Sequence, residues 1–213
     1  CIWTIMSITI LLIITTVIIS YLSFNNSSLR EILIFSPYQY INNKKWWLVV
    51  SHGFIHADYL HLFFNMYVLY AFGFNVENQF SELNTLGYLY FLILYLGAMI
   101  FATLPSIIKH RNNPSYRSLG ASGAVSAVVF VFIILAPTAQ MGLIILPGLY
   151  IPAFLFGLLY LLAENYMSKK GGSNIAHDAH IAGAIFGILF VGFFDYKLYI
   201  NFIESIANYI GIS

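Results

Sequence analysis

Few residues of this chain can do chemistry, and they fall into three short groups. Gly120-Ala121-Ser122-Gly123 sets a hydroxyl among small residues at the start of an apolar run. The first turn of a helix has backbone N–H groups without internal partners and the positive end of the helix dipole, both suited to a developing oxyanion. A serine hydroxyl becomes a nucleophile when a base accepts its proton, and histidine is the commonest base. Ala176-His177-Asp178-Ala179-His180-Ile181-Ala182-Gly183 supplies one at the start of another apolar run. His180, Gly183 and Gly187 share one helical face, where small residues permit close packing. Asp178 is two residues from His180, about 200° around a helix, so it is a poor third member and the spacing predicts a Ser122–His180 dyad.

His61 and Asn65 form the third group, one helical turn apart, and both can donate toward an oxygen on Ser122. Removing one such donor from an oxyanion hole typically costs about 10²–10³ in rate. His52 and His56 lie at i, i+4, a spacing that can bind zinc, but no Glu follows a His in an HExxH pattern. These two and His177 are therefore read as hydrogen-bonding residues, with no metal and no cofactor expected. Ser122 alone would more often be a packing residue, and His180 alone is evenly balanced between packing and function. Their joint occurrence with His61 and Asn65 reverses those odds.

The elements that position these groups follow from composition. Sixty per cent of the 213 residues are hydrophobic and 8% are charged, against about a quarter charged in a soluble domain. The chain is expected to be an all-α membrane protein. A net charge of +1 leaves no basic field for nucleic acid, and the single cysteine, Cys1, allows no internal disulfide. The first residue is not Met, which is read as truncation or processing of a longer chain. A crossing helix needs about 20 mostly apolar residues. Six segments serve: Ile2–Leu22, Leu60–Val76, Leu86–Leu104, Leu119–Ala136, Gly142–Leu162 and Ile181–Phe194. The first is too uniformly apolar for a signal peptide and has no small-residue cleavage site. Together they define a six-helix membrane domain over 1–196. Leu198, Phe202, Ile206 and Ile210 then recur every fourth position, predicting an interfacial amphipathic segment over 197–213.

Parity brings the three groups together. In a six-span chain, helices two, four and six start on the same membrane face, and the polar groups lie near those starts. Intramembrane polar residues are costly and usually functional. Glu77 is read as closing helix two and anchoring a loop, and Met167–Asn174 as a solvated Lys-Lys-Gly-Gly loop.

His61-Leu62-Phe63-Phe64-Asn65, Gly120-Ala121-Ser122-Gly123 and Ala179-His180-Ile181-Ala182-Gly183 resemble, in order, the signature motifs of rhomboid intramembrane serine proteases. The likeness runs from about Trp46 to Phe194. It implies a rhomboid-type bundle with Ser122 as nucleophile and His180 as general base, and with His61, Asn65 and the Ser122 backbone N–H as the oxyanion hole. It also implies transmembrane protein substrates, a membrane-lipid setting, no metal, and substrate entry past helix five, where Pro147, Pro152 and Gly157 would ease bending. The implied location is a bacterial inner membrane, multi-pass, with the site opening to the extracytoplasmic side.

Three features depart from the family's pattern. Trp47-Leu48 stands where the family usually carries Trp-Arg, and Ser126 where it commonly has an aromatic packed on the catalytic His, so support for the His180 ring must come from elsewhere. Eight of the nine basic residues (Arg30, Lys44, Lys45, Lys109, Arg111, Arg117, Lys169 and Lys170) fall in loops one, three and five. The positive-inside rule would put those loops in the cytoplasm, whereas the resemblance puts them outside, and the reading follows the resemblance. The alternative is an inactive rhomboid-like protein that binds or escorts membrane clients. A small transporter ranks last, since neither inverted repeats nor mid-membrane charges are visible.

Overall fold

The computed structural model of the chain describes residues 7–142, 148–170 and 176–212. Its helices are α1 (Ile8–Phe24), α2 (Ser27–Leu33), α3 (Pro37–Asn42), α4 (Leu48–Ser51), α5 (Tyr59–Leu83), α6 (Gly87–Phe101), α7 (Leu104–His110), α8 (Ser122–Leu135), α9 (Ala153–Lys170), α10 (His177–Asp195) and α11 (Lys197–Tyr209). One hairpin, β1 (Gln140–Gly142) antiparallel to β2 (Tyr150–Pro152), sets Met141 opposite Ile151.

α8 is the centre of the bundle. Eleven of its fourteen residues are buried, and α5, α6, α9, α10 and α11 all pack on it. Its composition explains this: Gly123, Ala124, Ser126 and Ala127 keep its first turns thin, so neighbouring backbones come close. α10 makes the tightest approach. A Cβ on Gly183 would lie 1.9 Å from the Gly123 carbonyl oxygen, and one on Gly187 would lie 2.4 Å from that of Ala127.

By length and apolarity, Gly87–His110 and His177–Asp195 are long enough to cross a bilayer, while Ile8–Phe24 and Ser122–Leu135 are apolar but shorter. The fold is mostly helical, and several element boundaries differ from those expected. α5 runs to Leu83, beyond the expected Val76, because residues 77–83 include neither Gly nor Pro. Glu77 therefore sits inside α5. Its carboxylate accepts from Ser7 Oγ (2.7 Å) and from the N–H groups of Ile8 (2.7 Å) and Thr9 (3.0 Å). It satisfies donors left open at the start of α1, and so anchors a helix rather than a loop.

The fifth segment was expected over Gly142–Leu162, yet the described chain is strand through Pro152 and helix only from Ala153 to Lys170. Proline lacks an N–H and disfavours helix in the residue before it, so the helix starts after Pro152. Neither Gly nor Pro follows Leu162 until Gly171, so helix extends through residues expected to form a loop; the rest of that loop, 171–174, lies outside the described residues, as do Pro147, Ile2–Met6 and Cys1. α11 carries the expected amphipathic repeat, but Leu198 is buried and Phe202 packs on the bundle core.

α8 is also shorter than expected. Leu119–Ala121 precede the helix in irregular backbone, and fourteen residues give a helix of about 21 Å against a hydrocarbon core of about 30 Å. Non-helical backbone at membrane depth is tolerated only where protein or a cavity covers it. Here the first-loop elements do so. Phe35 and Ser118 exchange two backbone hydrogen bonds of 3.0 Å, and Arg117 donates to Ser36 Oγ. Leu48, which stands where the family carries Arg, is fully buried. The loop is held instead by Trp47 Nε1–H to the Ile32 carbonyl (3.2 Å) and Ser51 Oγ–H to that of Leu33 (2.9 Å).

Candidate active site

The glycine contacts between α8 and α10 set the register that brings His180 to Ser122. Ser122 Oγ and His180 Nε2 are 2.7 Å apart, a distance at which the hydroxyl donates to an unprotonated ring nitrogen. Among the described residues, no backbone acceptor meets the N–H groups of Ser122, Gly123 or Ala124. The start of α8 thus offers free donors beside the hydroxyl.

Gly120 turns the chain into this helix at φ +110°, a conformation glycine adopts without strain. It also leaves room for His61: a Cβ there would lie 2.7 Å from His61 Cε1. The Ala57 N–H donates to His61 Nδ1 (3.4 Å), which leaves the proton on Nε2, the nitrogen nearer Gly120. Asn65 Nδ2 donates one hydrogen to the His61 carbonyl (2.9 Å) and keeps the other. The three sequence groups, on α5, α8 and α10, are therefore brought together.

His52 and His56 hold the loop before Ser122. His52 Nδ1 donates to the Leu48 carbonyl (2.9 Å), and the His52 carbonyl accepts from Gly120 N–H (3.0 Å). Ser20 on α1 gives its proton to the Phe54 carbonyl and accepts from His56 Nδ1 (2.9 Å each). His56 Nε2 then accepts from Ala121 N–H (3.4 Å). That chain requires a neutral His56 with its proton on Nδ1. Burial pushes His52 down to about 4, partly offset by the Leu48 carbonyl. Burial, then the charge of His61, pushes His56 down to about 3.

One residue escaped the sequence reading. A dyad without a carboxylate is expected from the spacing, yet Glu164 of α9 reaches both histidines of α10. Its Oε1 lies 3.0 Å from His180 Nδ1 and its Oε2 lies 2.6 Å from His177 Nδ1. All three side chains are at most 15% exposed. Asp178 turns away to Lys109 and Ser168. Ser126 meets α9 as well, with its Oγ 2.8 Å from Tyr160 OH. The signal was present in the sequence: Gly157, Tyr160 and Glu164 recur at i, i+3 and i+7, and an acid on such a face is costly unless it has a task. It was missed because the fifth segment was ended at Leu162.

Glu164, His177 and His180 also have ligand atoms within 4.8 Å of one another, close enough to hold a metal ion. Each Glu164 oxygen already has an imidazole partner, so the set is complete as a hydrogen-bonded cluster. Ser122, His180, Asn65 and Glu164 open onto a cavity of about 840 Å³ that runs beside α8 to the β1–β2 hairpin. Its walls are chiefly apolar and aromatic side chains of α5, α8 and α9, among them Tyr67, Phe72, Val129 and Phe156.

Comparison with known proteins gives this arrangement a family. The profile described as the Rhomboid domain matches residues 43–197. The chain is 30% identical over 159 residues to rhomboid protease GlpG of Haemophilus influenzae, covering 74% of each protein. It is 31% identical over 147 residues to the mitochondrial presenilin-associated rhomboid-like protein A of Danio rerio, covering 68% of this chain and 37% of that one. It is 30% identical over 152 residues to the mitochondrial RHOMBOID-like protein 12 of Arabidopsis thaliana, covering 64% and 43%. The chain thus spans less than half the length of these two mitochondrial relatives. By the extent of the profile match and the similarity to the Haemophilus protein, it belongs to the membrane-integral rhomboid family.

Proposed function

We propose that this protein is an intramembrane serine endopeptidase that cuts transmembrane protein substrates in or beside the bilayer. The observation that carries this reading is the 2.7 Å contact of Ser122 Oγ with His180 Nε2 at the head of the apolar cavity. A wall of this composition, apolar with a few polar groups that include Ser122, His180, Asn65 and Glu164, suits an apolar peptide segment arriving from lipid. The relative from Haemophilus influenzae is itself named a protease.

The reaction follows from the donors and acceptors in place. Ser122 Oγ forms a bond to the scissile carbonyl carbon as its proton passes to His180 Nε2. The carbonyl electron pair moves onto oxygen, where His61 Nε2–H, the remaining Asn65 Nδ2 hydrogen and the Ser122 backbone N–H point charge-stabilising dipoles. Collapse breaks the C–N bond, and His180 returns its proton to the leaving amine. Water, deprotonated by the same nitrogen, then hydrolyses the acyl-serine and frees Ser122.

In this reading α1, α5, α6 with α7, α8, α9 and α10 supply six crossings, and the loop before α8 lies toward the extracytoplasmic face of a bacterial inner membrane. The mitochondrial relatives make an organelle membrane the second location. The test is direct. A fluorophosphonate probe should add its mass to Ser122, and Ser122→Ala and His180→Ala should each abolish both labelling and cleavage of a transmembrane substrate in detergent. Cleavage that survives either substitution would refute the mechanism. An unlabelled Ser122 with intact client binding would instead assign the protein to inactive escorts.

A further inference from the structure

We infer that Glu164 is the third member of the catalytic group: a positioning carboxylate, supplied by α9, that holds His180 in the tautomer and orientation the reaction needs. This rests on the reading of Ser122 and His180 as the reactive pair.

Three observations converge on Glu164. The first is linear order: Ser122 Oγ, His180 Nε2, His180 Nδ1 and Glu164 Oε1 are joined by contacts of 2.7 Å and 3.0 Å. An ionised carboxylate only accepts hydrogen bonds, so the ring proton of His180 must sit on Nδ1 and the lone pair on Nε2 must face Ser122. A neutral imidazole without such a partner would divide its population between two tautomers, one of them unable to accept the serine proton. The second observation is Oε2, which is occupied by His177 Nδ1 at 2.6 Å. His177 Nε2 is buried with no partner among the described residues. A carboxylate removed from water needs a donor on each oxygen. His177 supplies the donor that His180 leaves unfilled, and among the described residues Glu164 is the one hydrogen-bond partner of the His177 ring.

The third observation is the space that admits Glu164. Position 126, one turn into α8, carries a small hydroxyl rather than a ring, and its Oγ meets Tyr160 OH at 2.8 Å. Tyr160 and Glu164 are one turn apart on the same face of α9. With no bulky side chain at 126, that face of α9 can approach the α8–α10 seam, and the support for His180 comes from α9 instead. During acylation the Nδ1 proton stays on His180 and Glu164 stays ionised. Its charge lies beside the imidazolium formed when Ser122 gives up its proton, so the contact strengthens as the transition state is approached.

The experiment compares the full chain with Glu164→Gln, Glu164→Asp and Ser122→Ala in detergent. It measures kcat and KM on a transmembrane substrate, the rate of fluorophosphonate labelling, and melting temperature. The general base contributes about 10²–10⁴, so Glu164→Gln should lower kcat by on the order of 10², with KM changed less than about threefold and labelling slowed in parallel. Glu164→Asp keeps the charge and should recover part of the rate. A Glu164→Gln protein that retains kcat within about twofold, or loses activity through KM alone, overturns the assignment. If Glu164→Gln does not fold, Glu164→Asp decides: folded and intermediate in kcat supports the role, folded and as inactive as Ser122→Ala overturns it. Loss of wild-type labelling on treatment with a metal chelator would also overturn it, making Glu164 a metal ligand. Cleavage surviving in Ser122→Ala would instead sink the underlying serine-protease reading, which separates the two failures.

Discussion

His56 passes a hydrogen bond from Ser20 on α1 to the backbone N–H of Ala121, one residue before Ser122, so the entry into α8 depends on an uncharged imidazole. Its value and that of His52 are both held below the ordinary 6.5, at about 3 and about 4. The unfolded chain therefore binds the proton first. The contribution of each neutral ring is complete above about pH 6.5 and is lost as pH falls toward the folded values, at about 1.4 kcal/mol per unit for each. Melting temperature in detergent should thus drop between pH 7 and pH 5. His56→Gln, which can donate and accept without titrating, should flatten that drop, and an unchanged slope in the variant would refute the account. Ser122, His180, His61 and Asn65 were legible in the sequence because each is a polar residue interrupting an apolar run. The hydrogen-bond roles of His52 and His56 were legible only in outline, since their partners lie on α1 and in the loop before α8. Glu164 was hidden by a misplaced helix end.

At the scale of elements, the α8–α10 seam determines whether Ser122 and His180 meet. Gly183 lies one turn after His180 and touches the Gly123 carbonyl, which a Cβ would approach to 1.9 Å. Gly183→Ala must push the helices apart by most of an ångström or more. A misplacement of that order costs about 10² in rate, so its turnover should fall at least that far while Ser122 and His180 remain present. Ile185→Ala, on the exposed side of the same helix, is the control and should leave turnover unchanged; equal losses in both would show that the seam has no special role. The small residues of this seam were readable as a stripe. The start of α9 was less so, because an apolar run from Gly142 to Leu162 gives no periodicity that separates strand from helix. Pro152 was the usable signal, and it places the start of the helix correctly.

The whole molecule carries the charge pattern that opposes its family's orientation. In the folded chain several of these cations are committed to neighbours. Lys109 pairs with Asp178, Arg117 lies 4.0 Å from Glu31, and Lys45 Nζ donates to Gln39. Lys109 ties α7 to α10, Arg117 ties the stretch before α8 to α2, and Lys45 bonds back to α3, so these local contacts bear on their placement as well as membrane sidedness. The expected outcome, in a Cys1→Ser background, is that Asn112→Cys reacts with an impermeant maleimide on intact cells. Gln140→Cys, beyond the far end of α8, should react only after permeabilisation. The reverse pattern would mean that the positive-inside rule governs this chain. The mostly helical build was legible from apolar run lengths alone, although α5 and α9 are interrupted by polar residues that line the cavity.

The cavity beside α8 has a consequence for how such a protein must be assayed. Its walls are chiefly apolar side chains of α5, α8 and α9, so in the proposed reading an acyl chain is the competing occupant whenever no client fills it. The quantity that sets its saturation is then the mole fraction of client in the bilayer. Adding water to a vesicle suspension changes nothing at the site, whereas adding lipid dilutes the client and raises the number of rivals at the same time.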